Sequence, residues 1–351
     1  MLGVKRGAYW PLRPVHSLPM RLWCFSWLSA KLPPARYPKL NTNLTFMSRQ
    51  TKTFLIDRFR EMGIRPATRH GQNFLIDLNL QRLIVDAAEL TPNDVVLEIG
   101  TGTGSLTAMM APQAAAVVTV EVDTHLFELA SEQLIDLPNV TMLRLDALRN
   151  KNNFDDRVME AIGPLLAADP RRRLKLVANL PYNIATPVIS NMLLAPHVPH
   201  SMVVTIQKEL ADRMSAVPST KDYSALSVWM QSQCTIETVR GLPPSVFWPI
   251  PQVTSAIIRI TVDPERRARI PDLNYFHQFV KAIFIHRRKF LRANVVPAMK
   301  RHLSKEQVDA ILEEMHFAPD TRTEQLDVET LLTLAEKVRA AAPDWTLSRQ
   351  A

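Results

Sequence analysis

Two regimes of hydrophobic patterning divide this chain. In its middle, short apolar runs recur, and each ends in a glycine, an acid or an amide. Val95-Val96-Leu97-Glu98-Ile99 runs into Gly100, Val117–Val120 into Glu121, Met142–Leu145 into Asp146, and Leu176-Val177-Ala178 into Asn179. Runs this short and apolar on both faces predict buried parallel strands. Ser105–Ala111, after the first of them, has helical character. Met202–Ile206 predicts a further strand leading into a helix over Gln207–Met214, and Val253–Ile260 a late strand that returns antiparallel to the sheet. Past Pro264 the strand pattern stops. Phe276, Phe279, Val280, Ile283 and Phe284 recur at helical spacing, and further helices are predicted over Lys305–Met315 and Val328–Ala340. An amphipathic helix is predicted over Thr53–Met62. The expected organisation is an α/β domain over residues 47–263 and a small all-α domain over residues 264–345.

Charge changes this picture at one end only. The net charge of +8 suggests a nucleic-acid binder, yet residues 1–56 carry nine Lys/Arg and no acid, which leaves 33 basic against 34 acidic residues from Asp57 onward. Any nucleic-acid surface therefore has to come from local clusters. Residues 1–46 read as a disordered segment, a mis-set start ahead of Met47, or an organelle-targeting peptide, since such peptides are Arg-rich and poor in acids. A mitochondrial location follows from the last reading and a cytoplasmic one from the others. Cys24 and Cys234 are the only cysteines. They exclude a Cys-based zinc site and make a disulfide framework improbable. No metal is expected. No window approaches 18 consecutive apolar residues, so no membrane span is expected.

The strand ends carry the candidate chemistry. Gly100-Thr101-Gly102-Thr103-Gly104 follows a strand and opens a helix, where backbone can approach a ligand closely. The dinucleotide fingerprint needs a third glycine where Ser105 stands, which disfavours a nicotinamide or flavin cofactor. Glu121 is placed to accept both hydroxyls of a ribose, and Asp146 to accept from the amino group of an adenine. A nucleoside held by two acids without a pyrophosphate grip points to S-adenosylmethionine. The fold class expected is thus α/β, the Rossmann-like sheet of an S-adenosylmethionine-dependent methyltransferase, with the all-α domain behind it.

Asn179-Leu180-Pro181-Tyr182 suits methylation of an exocyclic amine such as that of adenine. The Asn179 side-chain oxygen can accept one N–H, and a backbone carbonyl from Leu180 or Pro181 the other. Two acceptors favour the pyramidal, nucleophilic amine over its planar ground state, so no strong base is needed. Tyr182 offers a face for a base turned out of its stack. Gln72 and Asn73, beside Gly71, can reach a polar ligand.

On Gly71-Gln72-Asn73-Phe74-Leu75, Leu97-Glu98-Ile99-Gly100, Glu121-Val122-Asp123, Asp146-Ala147-Leu148, Asn179 to Ile184, Gln207-Lys208-Glu209, Val246-Phe247-Trp248-Pro249, Arg287-Arg288-Lys289 and Arg322-Thr323-Glu324, the chain resembles the ribosomal RNA adenine dimethyltransferase family. Those enzymes place two methyl groups on N6 of each of two adjacent adenosines near the 3′ end of small-subunit rRNA. The resemblance implies a cofactor site at Asn73, Leu75, Gly100, Glu121, Asp146 and Asn179, with their neighbours Gln72, Gly102, Val122 and Ala147. It implies catalysis by Asn179, Leu180, Pro181 and Tyr182, with Phe247 as a second aromatic near the target base. Thr101, Leu145 and Ser224-Ala225 depart from the family's usual proline, glycine and Gly-Arg. From Leu273 to Lys305 there are eight Lys/Arg and no acid, which suggests contact with RNA phosphate. Arg287, Arg288, Lys289 and Arg292 are the candidates there. Lys208 and Arg213 are candidates for an RNA path, although Glu209 beside them equally fits a solvated helix face. The partner expected is the small ribosomal subunit, bound by a monomer. The alternatives are the related large-subunit methyltransferase of the macrolide-resistance type and a non-catalytic ribosome-assembly factor.

Overall fold

The structure, a computed structural model, describes residues 52–61 and 73–347; the expectations for residues 1–46, Gly71 and Gln72 lie outside the described residues. The helix expected from Thr53 covers Lys52–Glu61. Seven strands form the main sheet: β1 (Asp94–Ile99), β2 (Ala116–Glu121), β3 (Val140–Arg144), β4 (Arg173–Asn179), β5 (Ser201–Gln207), β6 (Cys234–Leu242) and β7 (Ser255–Val262). Their spatial order is β3-β2-β1-β4-β5-β7-β6. The first five are parallel to their neighbours, and β7 runs antiparallel to both β5 and β6.

Period-two alternation sorts the strand residues onto two faces. Val95, Leu97, Leu174, Leu176, Met202, Val204, Ile258 and Ile260 share one hydrophobic cluster. Val96, Val117, Val177, Val203 and Ile257 belong to the other, beneath the helices Leu78–Ala87 and Ser105–Met110. Burying each such side chain stabilises the fold by about 1.5–3 kcal/mol. Runs apolar on both faces are what a sheet covered on both sides requires.

The larger cluster continues through Phe276, Phe279, Val295, Leu331 and Val338. These lie on helices Leu273–Ile283, Leu291–Met299 and Val328–Ala341, with Lys305–Glu314 between the last two. Helix Leu291–Met299 escaped the sequence reading because Pro297 interrupts its interior. The edge strand β6 escaped it too. Its sequence, CTIETVRGL, is mostly exposed and presents no apolar run.

The edge of the sheet where the parallel strands begin is closed by charge. Lys175, 4% exposed, donates to the carbonyls of Ala88 at 2.9 Å and Glu89 at 2.8 Å and pairs with Asp94 at 3.0 Å. All three of its protons are thereby used. Arg171 pairs with Asp169, Arg172 donates to the Leu165 carbonyl, and Arg173 sits 3.5 Å from Asp94. This basic triplet is tied into the turn that enters β4, on the far side of the sheet from the predicted site.

Candidate active site

Strand order reverses between β1 and β4, and at such a switch point the loops leaving the strands part and open a crevice. The crevice here is lined by Asn73, Phe74, Gly100, Gly102, Glu121, Val122, Asp146, Ala147, Asn179, Leu180 and Pro181, among others. Nearly every predicted cofactor residue is therefore brought together. Leu75 is the exception among those described. It is buried in the core, with its carbonyl accepting from Gln81 at 2.6 Å.

The glycine turn has the shape the spacing implied. Gly100 and Gly102 have φ of +86° and +57°, a region closed to most side chains. Both also stand in close contact. A Cβ on Gly100 would lie 3.3 Å from the Pro181 ring, and one on Gly102 3.3 Å from the Phe74 ring. Glu121 ties the turn to its strand: one carboxylate oxygen accepts from the Gly102 N–H at 2.9 Å and the other from the Asp123 N–H at 3.0 Å. Burial raises its pKa above the ordinary range, opposed by those backbone donors. One Asp146 oxygen accepts from the Leu148 N–H at 2.9 Å, which leaves the second for a ligand.

The lining carries two carboxyl groups, and no Lys, Arg or His is among the described residues that form it. A diphosphate would meet only negative charge here. A ribose with two hydroxyls, an adenine amino group and a sulfonium cation would each meet an acceptor, so the donor set fits S-adenosylmethionine.

At the end of β4 the Asn179 amide nitrogen donates to the Asn73 carbonyl at 2.9 Å. A carbonyl can only accept, so this bond takes up the amide nitrogen and leaves the side-chain oxygen of a crevice-lining residue as the acceptor. The two backbone acceptors differ. The Pro181 carbonyl already accepts from the Ile184 N–H at 3.1 Å, whereas among the described residues no donor reaches that of Leu180. Tyr182, half-buried, shares a 2.5 Å hydrogen bond with the Ser255 hydroxyl.

Phe247 is not brought to the site. It is 1% exposed and packs with Leu75, Val203, Leu242 and Ile257. The two-residue strands Phe74–Leu75 and Phe247–Trp248 pair antiparallel, Leu75 facing Phe247 and Phe74 facing Trp248. This register turns Phe247 into the core and leaves Trp248 packed against Phe59 and Phe74.

The basic candidates also separate. Lys208 pairs with Asp212 and Arg213 with Glu209 along one exposed helix turn, and Arg292 binds Asp309 through two hydrogen bonds of 2.6 and 2.8 Å. Arg287 is an internal tie: its guanidinium donates to the carbonyls of Thr220, Lys221 and Tyr223 and lies 3.5 Å from Glu324. Arg288 and Lys289 are exposed, and neither has an ion-pair partner among the described residues.

Sequence reading passed over Glu98. Its carboxyl is 1% exposed under the glycine turn and accepts from the Thr107 hydroxyl and, at 2.7 Å, from that of Thr119, which lies 2.6 Å from the Thr101 hydroxyl. The available signal was an acid inside an otherwise apolar strand. Burial pushes its pKa up to about 8, against the pull of both threonines. Between about 4.5 and about 8 the folded chain holds a proton that the unfolded chain has released. Stability from this group is therefore full below pH 4.5 and is lost as pH rises through 8, with a slope approaching about 1.4 kcal/mol per pH unit. Urea unfolding at pH 5 and pH 8 is expected to show that fall in the wild type and a smaller one in Glu98→Gln. Equal falls in both proteins would remove Glu98 as the source.

Comparison with known proteins follows the same lines. A family model described as ribosomal RNA adenine dimethylase matches residues 65–339. The ribosomal RNA small subunit methyltransferase A of Alkaliphilus metalliredigens is 38% identical over 270 residues, covering 77% of this chain and 91% of that protein. Its namesake in Lactiplantibacillus plantarum is 38% identical over 281 residues, covering 80% and 92%. Among solved structures, a dimethyladenosine transferase from Plasmodium falciparum shares the fold at a TM-score of 0.63 and 22% identity, covering 76% of this chain and 97% of that one. The 23S rRNA methyltransferase ErmE superposes at 0.53 with 26% identity, covering 76% and 99%. Among the described residues no helix is long and apolar enough to cross a membrane, and no group of His, Cys, Asp or Glu is arranged to hold a metal.

Proposed function

Because the chain belongs to the ribosomal RNA adenine dimethylase family, we propose that it dimethylates N6 of two adjacent adenosines near the 3′ end of small-subunit rRNA, using S-adenosylmethionine. The observation that carries this reading is the Asn179 amide, held through its nitrogen by Asn73 in a crevice whose charged groups, among the described residues, are all carboxylates.

When bound, the cofactor supplies an electrophilic methyl group. Glu121 and Asp146 would hold its ribose and adenine, and Gly100 and Gly102 would let it approach the backbone. The Asn179 side-chain oxygen and the Leu180 carbonyl accept the two N–H bonds of the target amine. This pairing would favour the pyramidal amine, whose lone pair is free to attack, and each transfer would release one N–H proton to solvent with no side chain acting as base. After the first transfer one N–H remains, and one acceptor suffices for the second. Tyr182 supports the flipped base on its face.

Arg288 and Lys289, exposed and without carboxylate partners, support a contact with rRNA phosphate, and the helices beyond Pro264 support a substrate-positioning role. We assign the protein to the cytoplasm, as a monomer acting on the assembling small subunit. The relatives named for the small subunit favour this over the 23S reading that ErmE suggests.

The test is transfer from labelled S-adenosylmethionine to under-methylated small subunits, with modified nucleosides mapped by mass spectrometry. Two adjacent N6,N6-dimethyladenosines near the 3′ end are expected. Modification of large-subunit rRNA instead would favour the macrolide-resistance type. Tight binding to the particle without transfer would make the protein an assembly factor.

A further inference from the structure

We propose that Ser255 is a positioning residue of this reaction, fixing the Tyr182 ring at the tilt at which the target adenine lies against it. The proposal rests on the methyltransferase reading above. It starts from the direction of β7. Because β7 is antiparallel to β5, its first residue, not its last, stands at the edge where the parallel strands end. Ser255 pairs with Gln207 on β5, and two residues before Gln207, Thr205 pairs with Asn179 on β4. Ser255 is thereby set two strands from Asn179, at the same edge.

Its surroundings leave its hydroxyl one use. Ser255 is 0% exposed, and the partner given to its oxygen is the Tyr182 hydroxyl at 2.5 Å. The tyrosine is held at both ends. At the backbone end, Pro181 has a fixed φ and its carbonyl is bound by Ile184. At the far end the phenol oxygen is bound by Ser255, which sets the direction of the ring axis. Burial keeps the phenol protonated, its pKa raised by desolvation against the pull of the Ser255 bond. A ring fixed only at its backbone end keeps the freedom to turn about its side-chain torsions. One fixed at both ends keeps its axis in a single direction.

Tyr182→Phe keeps the ring and removes the tether, and Ser255→Ala removes the same tether from the other side. Each is expected to lower kcat on under-methylated small subunits by about tenfold, the loss of one hydrogen bond. Cofactor affinity by calorimetry stays within about twofold, a split that a merely structural defect would not give. The double variant is expected to be no slower than the slower single. A wild-type rate in Ser255→Ala, or losses that multiply in the double variant, would overturn the proposal. A second readout does not depend on transfer. In protein labelled with 3-fluorotyrosine, the Tyr182 fluorine signal, assigned by its absence in Tyr182→Phe, is expected to be that of a fixed ring in the wild type and motionally averaged in Ser255→Ala. Identical signals would dismiss the tether even if the protein methylated no ribosomal substrate at all.

Discussion

Asn179→Ala is expected to lower kcat for methyl transfer by about 100- to 1000-fold, the effect of removing a preorganised transition-state partner. Two functions leave together. The acceptor for one N–H of the amine is lost, and the Asn73 carbonyl loses its 2.9 Å donor. Losing that hydrogen bond costs about 1 kcal/mol, so a modest drop in thermal midpoint accompanies the loss of rate. Cofactor and rRNA affinities stay near wild type, because Glu121, Asp146 and the basic residues are untouched. Asn179→Asp separates the two functions: it keeps an acceptor but sets a carboxylate against the Asn73 carbonyl, which repels it. If orientation matters as much as acceptance, this variant is nearly as slow as alanine. Single-turnover assays with saturating cofactor make the measurement. A rate within threefold of wild type for Asn179→Ala would remove Asn179 from the mechanism.

Gly100→Ala is expected to be the second most damaging single change. At φ +86° the new side chain is strained, by roughly 1–2 kcal/mol, and its Cβ meets the Pro181 ring at 3.3 and 3.4 Å. The methyl group and the proline ring are both stiff, so the strain is relieved by moving backbone. What moves is the segment that carries the Leu180 carbonyl on one side and the cofactor turn on the other. A displacement near 1 Å at a reacting centre costs about 100-fold. Gly100→Ala should therefore lose cofactor affinity and kcat together, whereas Asn179→Ala loses kcat alone. Calorimetry on both variants tests that contrast, and unchanged cofactor binding by Gly100→Ala would show that the turn yields without cost.

The parts of the site that sequence made readable are those that strand geometry fixes locally. Gly100, Glu121, Asp146 and Asn179 each end an apolar run, and parallel strands deliver such residues to one edge whatever else the chain does. The placement of Phe247 was not readable for the opposite reason. Phe247 and Trp248 are adjacent aromatics in a proline-rich loop, and which of them turns inward is decided by pairing with Leu75 and Phe74, far away in sequence. The placement of Arg287 was not readable because a run of basic residues shows its charge but not its partners. Three of the partners of this guanidinium are backbone carbonyls, to which sequence gives no pointer. Ser255 was visible as a residue but not as a neighbour of Tyr182, since only the antiparallel return of β7 joins them.

That late return also orders events during biosynthesis. A ribosome that has released the chain through Asn179 has already exported the glycine turn and both carboxylates of the crevice. Strand Phe74–Leu75 still waits for Phe247–Trp248, and Tyr182 for a partner 73 residues further on. At about 5–20 residues per second the interval between Asn179 and Ser255 lasts roughly 4–15 s. Throughout it the emerging chain lies beside ribosomal RNA, the class of molecule it modifies, with its target-holding face unassembled. Competence arrives only when the last strand of the sheet has left the ribosome.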